Sequence, residues 1–250
     1  MNTRLNGLKI AVTRPVMFSD FLRKKIEALG GNPVMLPAIE ISPLPELEKT
    51  IFELEEPNFL IFVSRNAARI GGKCLLKRPA LVKGVKVFAV GEGTKSELIK
   101  LGYHGVFSPK GFQDSQALLD LPPLQMVENV KVVICRGEGG KELLASELGN
   151  RGAFVEYFEC YQRKKVVWSS ESVKLINENR IAAWVATSGE IIDNIFSMQG
   201  IADVGILREM PWFVTHPTLG RKAMSKYQIK RVYITYNGDL GVVEGLTAWF

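Results

Sequence analysis

Residues 129 to 163, NVKVVICRGEGGKELLASELGNRGAFVEYFECYQR, read as strand, glycine turn, helix, glycine stop and second strand. Val130 to Cys135 is a short apolar run rich in β-branched residues, the pattern of a strand buried on both faces. Arg136-Gly137-Glu138-Gly139-Gly140 breaks it. Leu143, Leu144 and Leu148 then form a helical apolar stripe, closed by Gly152 as the residue after the C-cap. Ala153 to Tyr161 returns as a strand. In such a βαβ unit the turn lies at the carboxyl end of the first strand, where open α/β sheets bind ligands.

The unit recurs. LKIAVTR from Leu8, a helix from Phe21 to Leu29, the stop Gly30-Gly31 and a strand from Pro33 repeat the order. Arg14 aligns with Arg136 and Gly30 with Gly152, both 122 residues apart (136−14 and 152−30), and Ile39 then falls on Tyr161. Leu60 to Ser64 likewise resembles Trp184 to Ser188 at an offset of 124 (188−64). A repeat of half the chain means a duplicated α/β architecture. Strands alternating with helices predict mainly parallel sheets, with strands near 8–14, 33–37, 59–64, 85–90, 104–107, 130–135, 154–158, 181–187, 211–215 and 231–235. Helices are expected near 19–29, 45–54, 66–76, 93–101, 113–120, 139–150, 171–178, 189–198, 218–226 and 239–249.

Two segments read as interdomain connectors. LPAIEISP, Leu36 to Pro43, is extended and bracketed by prolines, and Glu159 to Val167 is its counterpart in the repeat. If both leave a sheet, residues 1–37 join 165–250 in one discontinuous domain and 44–157 form the other. A single split near residue 125 is the rival, and periodicity leaves both open.

The chain of 250 residues suits two domains, and its 46% apolar and 23% charged content is that of a globular protein. The beginning MNTRLNGLKIAV lacks the apolar core of a signal peptide, and three cysteines without CxxC spacing fit a reducing compartment, so the expected location is cytoplasmic. No apolar run approaches a membrane span. The formal charge of +6 favours a polyanion, yet the basic residues fall in pairs and triplets such as Arg163-Lys164-Lys165, not in the dense stripe of a nucleic-acid binder.

His104 and His216 stand alone, without a metal-ligand partner at helical spacing. Walker, GxSxG, HExxH and complete GxGxxG motifs are absent, so neither a metal nor a redox cofactor is expected. What remains is a set of strand-end turns before helices. They are Thr13-Arg14, Ser64-Arg65-Asn66, Gly91-Glu92-Gly93-Thr94, Arg136-Gly137, Ser188-Gly189 and Thr215-His216-Pro217-Thr218. Each offers free backbone N–H groups and the positive end of a helix, and together they would make a cleft for many carboxylates or phosphates. For any single Ser or Thr the plain account is helix capping. Tyr161, at a strand end within a connector, reads alone as an interface aromatic whose hydroxyl is able to exchange a proton.

Taken in order, IAVTRP, ALGGNPVMLPAIEISP, FVSRNAA, FAVGEGT, ICRGEGGKELLASELGNRGA, ECYQR and VATSGE resemble the uroporphyrinogen-III synthase family, collinearly from residue 8 to about 235. Thr215-His216 departs from the glycine-containing turn of many relatives. The resemblance implies two flavodoxin-like α/β domains with parallel sheets, joined by a two-stranded linker at 38–43 and 158–164, with the first domain discontinuous. It implies cyclisation of the linear tetrapyrrole hydroxymethylbilane, with loss of water and inversion of ring D through a spiro intermediate, by a monomer using no cofactor. Tyr161 then matches the tyrosine the family is thought to use as an acid. Thr13, Arg14, Ser64, Arg65, Asn66, Thr94, Arg136, Gly137, Ser188, Gly189 and Thr218 become candidates for binding the substrate's carboxylates, with no nucleic acid or membrane as partner. The alternatives are a non-catalytic two-domain binder of a polyanionic small molecule and a basic nucleic-acid-binding regulator.

Overall fold

A computed structural model of the chain describes residues 4–111, 113–236 and 238–250; residues 1–3, where the first expected domain would begin, lie outside them. The chain divides into two compact units, 1–40 with 164–250 and 41–163. It passes from one to the other twice, between Glu40 and Ile41 and between Arg163 and Lys164.

The first unit holds a sheet of β1 (Lys9–Val12), β2 (Asn32–Met35), β8 (Ala183–Ala186), β9 (Pro211–Val214) and β10 (Arg231–Ile234), ordered β10-β9-β8-β1-β2 and parallel throughout. Every residue of AWVA and PWFV is buried, as a strand covered on both faces requires. Ile10, Val12, Val185 and Phe213 face Leu22, Ile26, Val242 and Leu246 of two helices. Elsewhere in the unit Trp184 stacks on Trp212 at 5.3 Å between ring centroids.

The second sheet orders β3 (Ile39–Pro43), β4 (Phe59–Phe62), β5 (Lys86–Ala89), β6 (Lys131–Gly137) and β7 (Phe154–Lys165) as β3-β7-β6-β4-β5, and lies in the second unit except for two residues each of β3 and β7. β4 pairs in parallel with β5 and β6, and β6 with β7. Alternate residues of FLIF serve opposite layers. Leu60 and Phe62 pack with Ala67, Leu75 and Leu98, whereas Phe59 and Ile61 pack with Leu118, Leu144 and Leu148. Both sheets reverse direction beside their first core strand, between β1 and β8 and between β4 and β6.

Several elements differ from the sequence expectation for local reasons. LPAIEISP, read as a connector, contains β3; prolines at its borders exclude helix but not an edge strand. The strand expected at 104–107 shrinks to one bridge, Phe88 to Phe107, because Gly102 and Gly105 take left-handed φ of 95° and 62°. The helix expected from 139 begins at Leu143, since Gly139 is left-handed and Arg136 claims the carbonyls of Gly140 and Lys141. The helix expected at 66–76 is π-wound from Ala67 to Gly72. Helices Pro122–Gln125 and Val204–Glu209 escape the pattern altogether; the latter is capped by Asp203, which accepts from the Gly205 N–H at 2.7 Å.

Candidate active site

In an open parallel sheet the crevice lies outside the carboxyl ends of the two strands where the order reverses. In the second unit those ends are Val63-Ser64, after β4, and Arg136-Gly137, closing β6. Tyr161, on the neighbouring β7, is placed there by an irregularity of the ladder. Arg136 pairs with Glu159 but Gly137 pairs with Tyr161, so Cys160 is an extra residue that bulges β7. The bulge breaks strict alternation and lets Cys160 and Tyr161 both be buried in the same core cluster. The Cys160 thiol donates to the Arg136 carbonyl at 3.2 Å and the Glu138 N–H to the Tyr161 carbonyl at 2.8 Å, pinning the irregular register.

The phenol ring sits directly on Gly137. A Cβ there would lie 2.6 Å from Tyr161 Cζ and 3.0 Å from its hydroxyl oxygen, so only glycine allows the approach. The hydroxyl is held from two sides. Ser64 Oγ lies 3.1 Å away, and Arg163 donates from Nη2 at 3.2 Å. Ser64 in turn accepts the Ala67 N–H at 3.0 Å, which also caps the helix that follows. The phenol oxygen is thus an acceptor towards Arg163, and its one proton points to Ser64 or to an incoming group. Tyr161, Ser64, Arg136, Gly137 and Arg163 all line one cavity of about 600 Å³, together with Gln113 and the glycine loop 137–140.

Arg136 organises that loop. Its Nη2 meets Glu159 Oε1 at 2.9 Å and its Nη1 meets Glu142 Oε1 at 2.8 Å, while the guanidinium carbon lies 3.5 Å from the centre of the Tyr157 ring. Burial alone would lower its pKa, but the two carboxylates outweigh this and raise it. The Glu142 carboxyl is held below the ordinary range, first by the Tyr157 hydroxyl and then by Arg136. Arg136 therefore reaches the cavity with its charge already matched inside the protein.

The other expected residues divide by unit. In the second, Arg65 is exposed and lies across Gly93, whose Cβ would meet its Nε at 3.1 Å. Thr94 is buried in the first turn of the helix Glu92–Lys100, and Asn66 keeps a buried Oδ1 without a hydrogen-bond partner. In the first unit, Thr13 is fully buried and donates to the Val185 carbonyl at 2.6 Å, tying β1 to β8. Arg14 grips Asp239 with both terminal nitrogens, at 2.5 and 2.8 Å. Ser188 accepts the Ile191 N–H at 3.3 Å as an N-cap, and Gly189 carbonyl accepts from Lys222 Nζ at 3.1 Å. Thr218 N–H donates to His216 Nδ1 at 3.2 Å. The structure thus brings Ser64, Arg136, Gly137 and Tyr161 together; Thr13, Arg14, Ser188, Gly189 and Thr218 belong to the other unit.

Sequence reasoning passed over Arg163, visible only as part of a basic triplet, and Gln113, whose Oε1 accepts the Glu92 N–H at 3.0 Å beside Gly91. It also passed over Asp239, Glu142 and Glu159, the acids that engage Arg14 and Arg136. A sequence signal existed only for Glu142, six residues after Arg136. No group of three or more potential metal ligands occurs among the described residues.

Residues 20–238 match the family model described as uroporphyrinogen-III synthase HemD. The chain is 31% identical over 199 residues to a uroporphyrinogen-III synthase of Escherichia coli (strain K12), covering 76% of this chain and 80% of that protein. It is 32% identical over 172 residues to that of Proteus mirabilis, covering 67% and 86%. Its fold is similar to the crystal structure of uroporphyrinogen-III synthetase from Helicobacter pylori 26695, with a TM-score of 0.59 at 14% identity over 97% of this chain and 99% of that one.

Proposed function

We propose that this chain, which belongs to the uroporphyrinogen-III synthase family, closes hydroxymethylbilane into uroporphyrinogen III. The observation that carries the local part of this reading is the hydroxyl of Tyr161, held by Ser64 and Arg163 at a cavity on the switch point of a parallel sheet. Hydroxide leaves the bilane with the push of its own pyrrole nitrogen, and Tyr161 supplies the proton that makes it water. The Arg163 N–H stabilises the negative charge that builds on the phenol oxygen as that proton departs. Ring D then attacks through its substituted carbon to give the spiro intermediate. Fragmentation and reclosure at its free carbon release a proton when ring D regains aromaticity, and that proton restores the phenol. Holding ring D in the inverted orientation is orientation catalysis, which supplies several kcal/mol without any strong acid or base.

The substrate is a polycarboxylate, and we read Thr13, Arg14, Ser64, Arg65, Asn66, Thr94, Arg136, Gly137, Ser188, Gly189 and Thr218 as the surroundings that receive it. Arg14 and Arg136 contribute by shaping their turns, because their charges are already paired. The test is incubation with freshly generated hydroxymethylbilane, followed by oxidation and chromatography of the porphyrins. Type III product is expected; type I product at the spontaneous rate would overturn the reading.

The two compact units are proposed to be the two domains, with 38–43 and 158–164 as their linkers; limited proteolysis cutting first elsewhere would count against this. Three free, buried cysteines, Cys74, Cys135 and Cys160, support a cytoplasmic location, which fractionation would check. No helix among the described residues is long and apolar enough to cross a membrane. A monomer without nucleic acid is expected, and a dimer mass in light scattering or tight binding to unrelated DNA would refute it.

A further inference from the structure

Five charged side chains besides Tyr161 line the cavity: Asp114, Arg136, Glu138, Lys141 and Arg163. Two of them are occupied. Arg136 is matched by Glu142 and Glu159, and Asp114 caps the helix Ser115–Leu119 by accepting the Ala117 N–H at 2.8 Å. Glu138 and Lys141 are exposed on the glycine loop, and the hydrogen bonds of the Tyr161 hydroxyl and Ser64 Oγ among the described residues go to other groups. Position rather than net charge therefore singles out Arg163. It is exposed, makes no ion pair with a carboxylate among the described residues, and donates one N–H to the Tyr161 hydroxyl, with its guanidinium carbon 5.7 Å from the ring centre.

A guanidinium carries five N–H groups in a planar fork, and the phenol uses one. The remaining edge pairs with no acid among the described residues and is matched in shape to a carboxylate. We propose that Arg163 bridges substrate and acid: one edge binds a carboxylate side chain of the bilane, while Nη2 stays on the Tyr161 oxygen. This deepens the proposed function and rests on it. The bridge places the departing hydroxyl at the phenol, because the carboxylate and the phenol oxygen share one rigid plane of donors. An ammonium group at the end of a lysine is a point charge and cannot serve both in fixed geometry.

The experiment compares wild type, Arg163→Met, Arg163→Lys, Tyr161→Phe and the double variant Tyr161→Phe/Arg163→Met, reading kcat, KM for hydroxymethylbilane and the isomer ratio. Losing one charged hydrogen bond on each side should lower kcat/KM of Arg163→Met by about 10–100-fold. KM should rise and kcat should fall. In the Tyr161→Phe background the kcat loss should disappear while the KM rise persists, since the phenol through which it acts is gone. Arg163→Lys should recover part of KM and little of kcat, and it guards against a folding defect in the methionine variant. A wild-type KM in Arg163→Met, or kcat losses that multiply in the double variant, would overturn the bridge while leaving the reaction intact. Failure of the wild type to form type III product would overturn the reaction and the bridge with it.

Discussion

Replacing Gly137 by alanine tests whether the seat of the Tyr161 ring matters to the chemistry. Gly137 has no left-handed backbone, so the added methyl carries no conformational penalty and acts through contact alone. That methyl would stand 2.6 Å from Cζ and 2.7 Å from Cε2, against an ordinary contact of at least 3.4 Å, so the ring must withdraw by 0.8 Å (3.4−2.6). Tyr161 is 1% exposed and packed with Phe158 and Cys160, which leaves the cavity as its direction of escape. A shift of that size carries the hydroxyl away from Ser64, now at 3.1 Å, and out of good hydrogen-bond geometry. Overpacking of this kind costs about 1–3 kcal/mol of stability. A misplacement near 1 Å at a reacting group costs about 10²-fold in rate. The assay is turnover of hydroxymethylbilane by chromatography of the oxidised porphyrins, with thermal melts in parallel. Gly149→Ala is the control: it lies in the helix Leu143–Asn150 with open space at its Cβ, and should gain about 0.5–1 kcal/mol without loss of rate. A folded Gly137→Ala enzyme turning over at the wild-type rate would refute the argument.

Tyr161→Phe should slow turnover by about 10–10³-fold with the residual enzymatic product still type III, because the ring that fills the seat is kept; type I release from bound substrate would show instead that the hydroxyl orients ring D. Ser188→Ala should cost about 1 kcal/mol in chemical denaturation through its lost cap and leave the product isomer unchanged. Asp193 supplies a pH test. Burial raises its carboxyl, but hydrogen bonds from Lys222, Tyr227 and Lys226 outweigh this and hold it at about 2. A depressed carboxyl stabilises the fold above its unfolded value, near 3.9, and the benefit is lost as pH falls towards 2. The melting temperature of the wild type should fall through that window, and Asp193→Asn should show a flatter profile; parallel profiles would refute the assignment.

Much of the fold could be read because buried parallel strands are spelled by composition. FLIF, AWVA and PWFV admit no polar residue, and each is a fully buried strand. Boundaries failed where a side chain outside the apolar pattern decided them. Nothing in GEGGKEL shows that Arg136 would take the carbonyls of Gly140 and Lys141 and delay the helix to Leu143. At the site, strand-end position was enough to make Ser64 and Gly137 candidates, since a parallel sheet puts all its carboxyl ends on one edge, whereas Tyr161 read alone as an interface aromatic and became the candidate acid only through the family resemblance. The reason for Gly137 could not be read, because it depends on a ring 24 residues away (161−137) that reaches it only through the bulge at Cys160. The pairing of the charges could not be read for a related reason. A lone Arg at a turn looks ready for an anion until the fold delivers Glu159 or Asp239 to it.

The internal repeat now explains which features belong to the scaffold and which to the chemistry. Aligned positions that serve the scaffold match in both halves. Arg14 and Arg136 each bind acids of their own unit, and Ser188 and Ser64 each accept the N–H of the residue three further on. At the offset of 122, Tyr161 falls on Ile39, Gly137 on Pro15 (137−122) and Arg163 on Ile41 (163−122). These three differences are mutually consistent. Without a phenol, the first half has no ring to admit and so tolerates Pro15, and it has no hydroxyl for a guanidinium to hold. Ser64 differs from Ser188 in the same sense, because it adds the Tyr161 hydroxyl to a capping role the two share. A purely structural buried tyrosine would also need room for its ring and one hydrogen-bond partner, which Gly137 and Ser64 supply, but it would not need an exposed guanidinium at its oxygen beside a cavity. The departures from the repeat therefore gather around one hydroxyl, at the sheet's switch point, and they favour a chemical role for Tyr161 over the interface role that its sequence position alone suggests.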